Sequence, residues 1–148
     1  MTTSRLPDGL AARILDESPD AILICDADGV VRYWNQGAER VFGFPREEVL
    51  DRSLNSIIPE QFRARHWAGW KAAISTGVTR YNDGELLGVP ALHKNGGQIS
   101  IEFSIQLVKD AGGRMECVVA FVRDVTERYI REKALRAALQ RQHAPDIA

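Results

Sequence analysis

One segment of this 148-residue sequence, Gln98 to Val108, alternates apolar and polar residues. Strict alternation puts every second side chain on one face of a β-strand, so the segment predicts a strand with one buried and one exposed face. Glycine-rich turns stand on both sides, at residues 94–97 and 110–113, and predict antiparallel neighbours in a meander. A sheet covered on one side is therefore expected, with these apolar positions beneath the cover: Ile99, Ile101, Phe103, Ile105 and Leu107.

Four other strands and a long helix complete the predicted sheet domain. The strands that flank the alternating segment are predicted at Leu86 to Leu92 and Cys117 to Val122. Ala21 to Cys25 and Val30 to Trp34 are short apolar runs joined by an Asp-Gly turn, which is typical of a hairpin. A helix is predicted from about Pro59 to Ser75. This order indicates an α+β fold, a five-stranded antiparallel sheet with helices on one face.

The predicted long helix has an apolar stripe. Phe62, His66 and Trp70 recur every four residues, followed by Ala73 or Ile74, which is the spacing of one helix face. Gly77 ends the helix. The stripe predicts that His66 faces the interior.

Shorter helices are predicted before the long one. An amphipathic helix covers about Asp8 to Glu17, with Asp8 as its N-cap, and ends at Ser18-Pro19 because proline disfavours helix in the residue before it. Gly37 to Gly43 is a second helix with Asn35 as its cap. Pro45 to Leu50 is a third, with proline in its first turn.

Composition excludes several classes of protein. Hydrophobic residues make up 45% and charged residues 26% of the chain, which is ordinary globular usage. A formal charge of -1 lacks the positive field that binding duplex DNA requires, so no direct nucleic-acid partner is expected. No stretch is long and apolar enough for a membrane span, and Met1 to Leu6 lacks a signal-peptide pattern. A cytoplasmic protein is expected, with Cys25 and Cys117 as free, non-metal thiols.

The tract after Asp124 predicts an outgoing helix, because it has no glycine or proline and is rich in strong helix formers. Its apolar residues cover about two heptads and need a partner to be buried. The predicted organisation is an N-terminal cap helix at 1–18, a core at 19–124, a signalling helix at 125–142 and a frayed tail at 143–148. We expect a parallel homodimer through the Val125 to Leu139 helices, with the Asp8 helix contributing.

Several motifs resemble the PAS sensory family over about Leu10 to Leu139. They are SPDAILICDADGVVRYWNQGAERVFGFPREEVL, IIPEQFRARHWAGW, the HKNGG turn, and VVAFVRDVTER leading into a helix. The resemblance implies a PAS fold and a role in signal transduction. It also implies that Asn35 caps the first core helix and that Asp124 and Thr126 couple the last strand to the signalling helix. A downstream signalling protein or effector domain is the implied partner.

The Asp124 and Thr126 pair has a physical interpretation of its own. A carboxylate and a hydroxyl two residues apart can accept backbone N–H groups of the first helical turn. The simpler alternative is that one of them only caps the helix. Both are compatible with a relay, because a cap whose bonding changes when the sheet moves can switch between two states.

The resemblance also implies a ligand between the helices and the inner face of the sheet. IIPEQFRARHWAGW resembles the haem-binding PAS domains of rhizobial oxygen-sensing kinases, in which the histidine matching His66 is the axial iron ligand. Haem b with a diatomic gas is the favoured ligand, since neutral imidazole is a good iron ligand. The helix is expected to aim His66 and Trp70 into an apolar pocket lined by Leu86, Leu87, Ile101, Phe103 and Ile105.

Other ligands remain open. A flavin is not expected, because the chain lacks the Asn-Cys-Arg-Phe-Leu-Gln signature of flavin-type light sensors. The family's distal arginine aligns with Leu86 or Leu87, and an apolar wall there suits carbon monoxide or nitric oxide better than oxygen. Arg63, Arg65 and His66 form a basic group that alternatively binds a small organic acid.

Two further residues need an interpretation, His93 and Trp67. His93 lies beside a turn and is expected to be solvated, and Trp67 with Trp70 either flanks a cofactor or belongs to the core.

No catalytic or phosphate-binding motif occurs, so the chain is not expected to be an enzyme. A module that only dimerises, with an empty core, is the remaining alternative.

Overall fold

The structure is a computed structural model that describes residues 5–79 and 87–143. Along these residues the elements follow in this order: α1 (Leu10–Glu17), β1 (Ala21–Cys25), β2 (Val31–Trp34), α2 (Gln36–Phe42), α3 (Arg46–Val49), a 3-10 helix (Leu54–Ile57), α4 (Glu60–Thr76), β3 (Leu87–Leu92), β4 (Gln98–Lys109), β5 (Met115–Asp124) and α5 (Thr126–His143). The predicted α+β fold is confirmed. Leu86, predicted as the start of a strand, lies outside the described residues.

The strands form one antiparallel sheet in the order β2-β1-β5-β4-β3. Leu87 stands opposite Phe103, Phe103 opposite Val122, and Val122 opposite Ala21. Residues that are opposite each other share a face of the sheet, so these four side chains form a row across it. Ala21 and Val122 are buried, which identifies this face as the inner one.

The helices before β3 cover part of the inner face. Trp34 and Phe42 are fully buried with ring centroids 5.2 Å apart, and the Trp34 indole N–H donates to the Phe44 carbonyl at 3.0 Å. Ala38 and Val49, from α2 and α3, join the same buried cluster. The core therefore lies between the inner face of the sheet and the short helices, and Ala91, Ile101 and Val122 extend it to β3, β4 and β5.

One local prediction about the helices is wrong. Asp8 does not cap α1: the helix is preceded by Gly9 in the left-handed conformation, φ +79°, with no side-chain cap. The stripe predicted for α4 is confirmed in part, because Phe62 and Trp70 pack against the core, and Trp67 joins them. No residue of α4 is fully buried, and His66 is half-buried.

Candidate functional site

Helix α4 is tied to the first half of the domain by its two tryptophans. The Trp67 indole N–H donates to Asn55 Oδ1 at 2.7 Å, and the Trp70 indole N–H donates to the Ala27 carbonyl at 2.8 Å. Gly29 has φ +83°, and a Cβ there would lie 2.3 Å from the Trp67 ring. Only glycine allows so close an approach, so the β1–β2 turn is shaped to receive α4.

His66 lies beside these tryptophans. Its ring centroid is 4.5 Å from that of Trp67 in an edge-on arrangement and 5.9 Å from that of Trp70. Its Nδ1 atom is buried and has no hydrogen-bond partner among the described residues. Burial lowers the pKa of His66 below the usual 6.5, because desolvation disfavours the imidazolium. The side chain is therefore a neutral imidazole with an unused nitrogen.

An unpartnered buried nitrogen is costly, since it has left water without gaining a replacement hydrogen bond. Such groups are rare in folded proteins, and each one calls for an explanation. A ligand that bonds to His66 would remove the cost. This observation supports a binding role for the side chain independently of its position in the sequence.

The predicted pocket wall is partly assembled. Ile101 is buried, Phe103 and Trp70 are half-buried, and all three belong to or pack against the main core cluster. Ile105 follows two residues later on the same face of β4, and Leu87 stands opposite Phe103 on β3. Leu86, the remaining predicted wall residue, lies outside the described residues. Trp70, Ile101 and Phe103 thus all belong to or pack against one core cluster, and the His66 ring lies beside that of Trp70.

Two cavities of the described chain lie elsewhere. One of about 390 Å³ opens between the end of α4 and the β4–β5 turn, next to Lys109 and Arg114. The other, of about 220 Å³, is on the outer face of the sheet. Neither cavity is lined by His66.

The side chains available as metal ligands determine which metal or metal-containing cofactor this site is able to hold. Among the described residues, no cluster of three or more His, Cys, Asp or Glu side chains is able to hold a metal ion. A single histidine binds a metal firmly only when the other ligands arrive with the metal, as they do in haem. His66, neutral and unpartnered, fits the role of one axial ligand. The hydrogen-bond acceptor that usually orients such a histidine is missing.

The basic group proposed for an organic acid is dispersed. Arg63 donates to the Ile58 carbonyl at 3.0 Å and to the Asn55 carbonyl at 3.2 Å, so its guanidinium supports the 3-10 helix. Arg65 is exposed. A carboxylate at His66 would therefore receive little help from Arg63.

His93, which was predicted to be solvated, is only partly exposed. It is half-buried, and a Cβ on Gly43 would lie 2.5 Å from its ring. Its Nδ1 accepts the Asn95 N–H at 3.1 Å, while the Lys94 N–H donates to the Phe42 carbonyl at 2.9 Å. His93 therefore fixes the β3–β4 turn against the end of α2.

The second candidate site is the junction between β5 and α5. Asp124 Oδ1 accepts the Thr126 N–H at 2.9 Å and also the Thr126 hydroxyl. Thr126 Oγ1 in turn accepts the Ser100 N–H at 2.9 Å. The predicted pair thus does more than cap a helix, since it joins the first turn of α5 to strand β4.

Sequence reasoning missed three residues at this junction. Ser100 supplies both backbone bonds to the junction, and the Arg128 guanidinium pairs with the Glu102 carboxylate at 2.5 Å. Alternation along β4 already placed Ser100 and Glu102 on the outer face. Nothing in the linear sequence indicated that α5 would begin there, because that depends on the strand order.

Comparison with known proteins identifies the family. A family model described as the PAS fold matches residues 15–130. The chain therefore belongs to the PAS family, and it is a signal-sensing module. Along the described residues, no helix is long and apolar enough to cross a membrane.

Two curated relatives resemble part of the chain. One is an uncharacterised protein from Azorhizobium caulinodans, 33% identical over 123 residues that cover 82% of this chain and 16% of that protein. The other is the sensor protein FixL from Bradyrhizobium diazoefficiens, 27% identical over 121 residues that cover 77% of this chain and 22% of that protein. The chain thus spans less than a quarter of the length of either relative.

Solved structures share the fold at low sequence identity. A PAS domain from Colwellia psychrerythraea has a TM-score of 0.68 at 21% identity, over 79% of this chain and 95% of that one. An RNA-binding light-oxygen-voltage receptor has a TM-score of 0.74 at 22% identity, over 95% of this chain and 40% of that one. Identities this low carry the fold and leave the ligand undetermined.

Proposed function

We propose that this PAS module binds haem b through His66 and relays the state of that site through α5, with no catalytic activity of its own. The buried Nδ1 of His66, which has no hydrogen-bond partner, is the observation that carries the proposal. Sequence resemblance to haem-binding PAS domains adds to it at the same residue. We place the protein in the cytoplasm, where a downstream kinase or effector domain receives the signal.

The residues around His66 suit a planar apolar group. Trp70, Ile101 and Phe103 supply apolar surface, and Leu87 stands across from Phe103. Haem held there by His66 would supply an iron able to bind a diatomic gas. Leu87 cannot donate a hydrogen bond to such a gas. Carbon monoxide or nitric oxide is therefore the expected ligand in preference to oxygen.

Titration with hemin tests the proposal. We expect the purified chain to take up hemin with a Soret band, and His66→Ala to lose that band because the imidazole proposed to bind the iron is gone. His93→Ala is the matched control, since His93 is also half-buried but its Nδ1 already accepts a hydrogen bond. Hemin uptake that His66→Ala leaves unchanged, or no uptake by the wild type, would sink the haem proposal.

A ligand-free interaction module is the second candidate. The observation that favours it is the position of the two cavities, neither of which reaches His66. In that case the relay responds to a partner protein. A melting-temperature screen against hemin and small organic acids separates the candidates, because a ligand of the folded state raises the melting temperature.

The relay and the dimer belong to the same proposal. Asp124 and Thr126 join α5 to β4, so a shift of the sheet reaches the first turn of α5. Helix α5 has no buried residue, and Leu135 and Leu139 are 61% and 46% exposed. We propose that this exposed surface pairs with the α5 helix of a second copy. The dimer then transmits the shift to the next domain.

A further inference from the structure

Helix α5 is attached to the rest of the domain through one strand. The Val125 N–H donates to the Ser100 carbonyl at 2.8 Å, and Thr126 Oγ1 accepts the Ser100 N–H at 2.9 Å. One turn later, the Arg128 guanidinium donates to Glu102 at 2.5 Å. Each of these bonds reaches β4, so the docked position of α5 depends on two neighbouring outer-face residues.

Strand β4 carries different functions on its two faces. Ser100 and Glu102 hold α5, while Ile101 and Phe103 alternate with them and contribute to the core on the inner side. Successive side chains of a strand point to opposite faces. A displacement of β4 at the inner face therefore acts directly on the residues that hold α5.

Four charged residues on the outer side form what we call the charge row: Asp20, Arg123, Glu102 and Arg128. Arg123 pairs with Asp20 through two bonds, at 3.1 and 3.2 Å, and Glu102 pairs with Arg128. Glu102 and Arg123 nevertheless stand directly opposite each other across the β4–β5 ladder. Opposite residues have Cβ atoms about 5 Å apart, so these two side chains are within reach of each other.

The charge row permits a second pairing. Asp20, Glu102 and Arg123 line the outer cavity of about 220 Å³, which leaves room for their side chains to change rotamer. The Glu102 side chain is only 22% exposed, so a Glu102 without a cation would lose more than an ordinary surface carboxylate. Arg123 is 71% exposed and able to turn from Asp20 to Glu102.

We propose that the charge row is a two-state switch for α5. In the docked state Arg128 holds Glu102 and Arg123 holds Asp20. In the released state Arg128 leaves with α5, and Arg123 takes its place on Glu102. Because Glu102 keeps a cation in both states, the pair given up on release of α5 is that of Asp20, whose side chain is 38% exposed against 22% for Glu102. The inference rests on the relay part of the proposed function and is independent of haem.

Amide hydrogen exchange of the full-length, ligand-free chain tests the switch. The Val125 and Tyr129 N–H groups, bonded to Ser100 and Val125, report opening of the first turn of α5. Arg128→Gln removes the docked pair and leaves the released pair intact. We expect these amides to exchange about two- to fivefold faster in that variant, the range of one surface ion pair.

Two further variants separate the switch from a simple ion pair. Arg123→Gln removes the released pair with Glu102 and also the docked pair with Asp20. Because Glu102 is the less exposed carboxylate, 22% against 38% for Asp20, the released state loses more, and these amides should exchange more slowly than in the wild type. Asp20→Asn frees Arg123 to pair with Glu102, so they should exchange faster. Loss of general stability would instead speed exchange in both variants. Urea unfolding of each variant checks that the fold is intact.

Arg131→Gln is the matched control, because Arg131 also lies on α5 and makes no hydrogen bond or ion pair in the described part of the chain. Exchange as fast as wild type or faster in Arg123→Gln would overturn the alternative pairing. Exchange unchanged in Arg128→Gln, or changed equally in Arg131→Gln, would overturn the docked pair. Failure of hemin to bind contradicts the haem proposal alone, since every exchange measurement is made without it.

Discussion

The Asn35 side chain joins four segments of the chain by hydrogen bonds. It is fully buried, and its Oδ1 accepts the N–H groups of Ile22 and Ala38, both at 2.8 Å. Its Nδ2 donates to the carbonyls of Leu15 and Asp20, at 2.9 and 3.1 Å. The cap predicted from sequence is confirmed. The other three bonds were not predictable, because they join segments that only the folded chain brings together.

Replacement of Asn35 should therefore cost much more than a helix cap. Asn35→Ala leaves two buried N–H groups and two carbonyls without that partner, and we expect a loss of about 3 kcal/mol in the free energy of unfolding, against about 1 kcal/mol for a cap alone. Urea unfolding measures it. Asn95→Ala is the control, since Asn95 accepts only the Gly97 N–H in an exposed turn. A loss no larger than that of the control would contradict the four-segment role.

The lowered pKa of His66 makes stability depend on pH. Burial disfavours its charged form, so the unfolded chain binds the proton more readily than the folded chain. Stability contributed by the neutral ring is present above the unfolded pKa of about 6.5 and is lost as pH falls below it. We expect the wild type to lose more stability between pH 7.5 and 5.5 than His66→Gln does. Equal losses in urea unfolding would contradict the desolvated site.

Helix α4 illustrates how far sequence predicts an element. Its bounds were predicted within a residue or two, because Pro59 and Gly77 mark its ends. Its buried face was predicted in part, since Phe62 and Trp70 pack against the core and Trp67 joins them. Two indole N–H bonds, from Trp67 to Asn55 and from Trp70 to Ala27, turn the helix toward the β1–β2 turn. Periodicity contains no information about such tertiary partners, so the candidate site was correct in its residues and incomplete in its arrangement.

A glycine substitution tests whether Trp67 of α4 packs directly on Gly29. Gly29→Ala adds a methyl group 2.3 Å from the Trp67 ring at φ +83°, whereas Gly96→Ala adds one at φ +91° with nothing within 4 Å. Both variants pay about 1–2 kcal/mol for the left-handed conformation. We expect Gly29→Ala to lose at least 1 kcal/mol more, as overpacking does, and to shift tryptophan fluorescence. Equal losses of the two variants in urea unfolding would show that Trp67 is not seated on Gly29.

The strands were more predictable than their order. Alternation along β4 and the turns at residues 94–97 and 110–113 correctly predicted the β3–β4–β5 meander. The place of β1 beside β5 was not predicted, since residues 26 to 114 separate those strands in sequence. The local sequence pattern specifies which face of a strand is buried. Which strands become its neighbours depends on how the whole sheet is buried.

At the scale of the whole molecule, the sheet connects two regions that differ in how many of their residues are buried. The core around Trp34 and Phe42 is closely packed, while α4 and α5 have no fully buried residue. Elements with few buried contacts are those that open most readily. The two helices assigned to sensing and to relay thus share with α1 the absence of a fully buried residue.

The proposed homodimer depends on one face of α5. At 3.6 residues per turn, Leu135 and Leu139 lie about 40° apart, whereas Ile130 lies about 180° from Leu139. The predicted single stripe is therefore two separate patches, and only the Leu135 and Leu139 patch has two large apolar residues. We expect the wild type to be dimeric by light scattering and Leu135→Glu/Leu139→Glu to be monomeric, because the variant places charges in the interface.

Ile130→Glu is the matched control for that measurement. Ile130 is 60% exposed, close to the 61% of Leu135, and faces away from Leu139. It should leave the dimer intact. A monomeric wild type, or dissociation by Ile130→Glu alone, would contradict pairing through the Leu135 and Leu139 face. A dimer that survives all three glutamates would move the interface off α5, and α5 would then signal without help from a second copy.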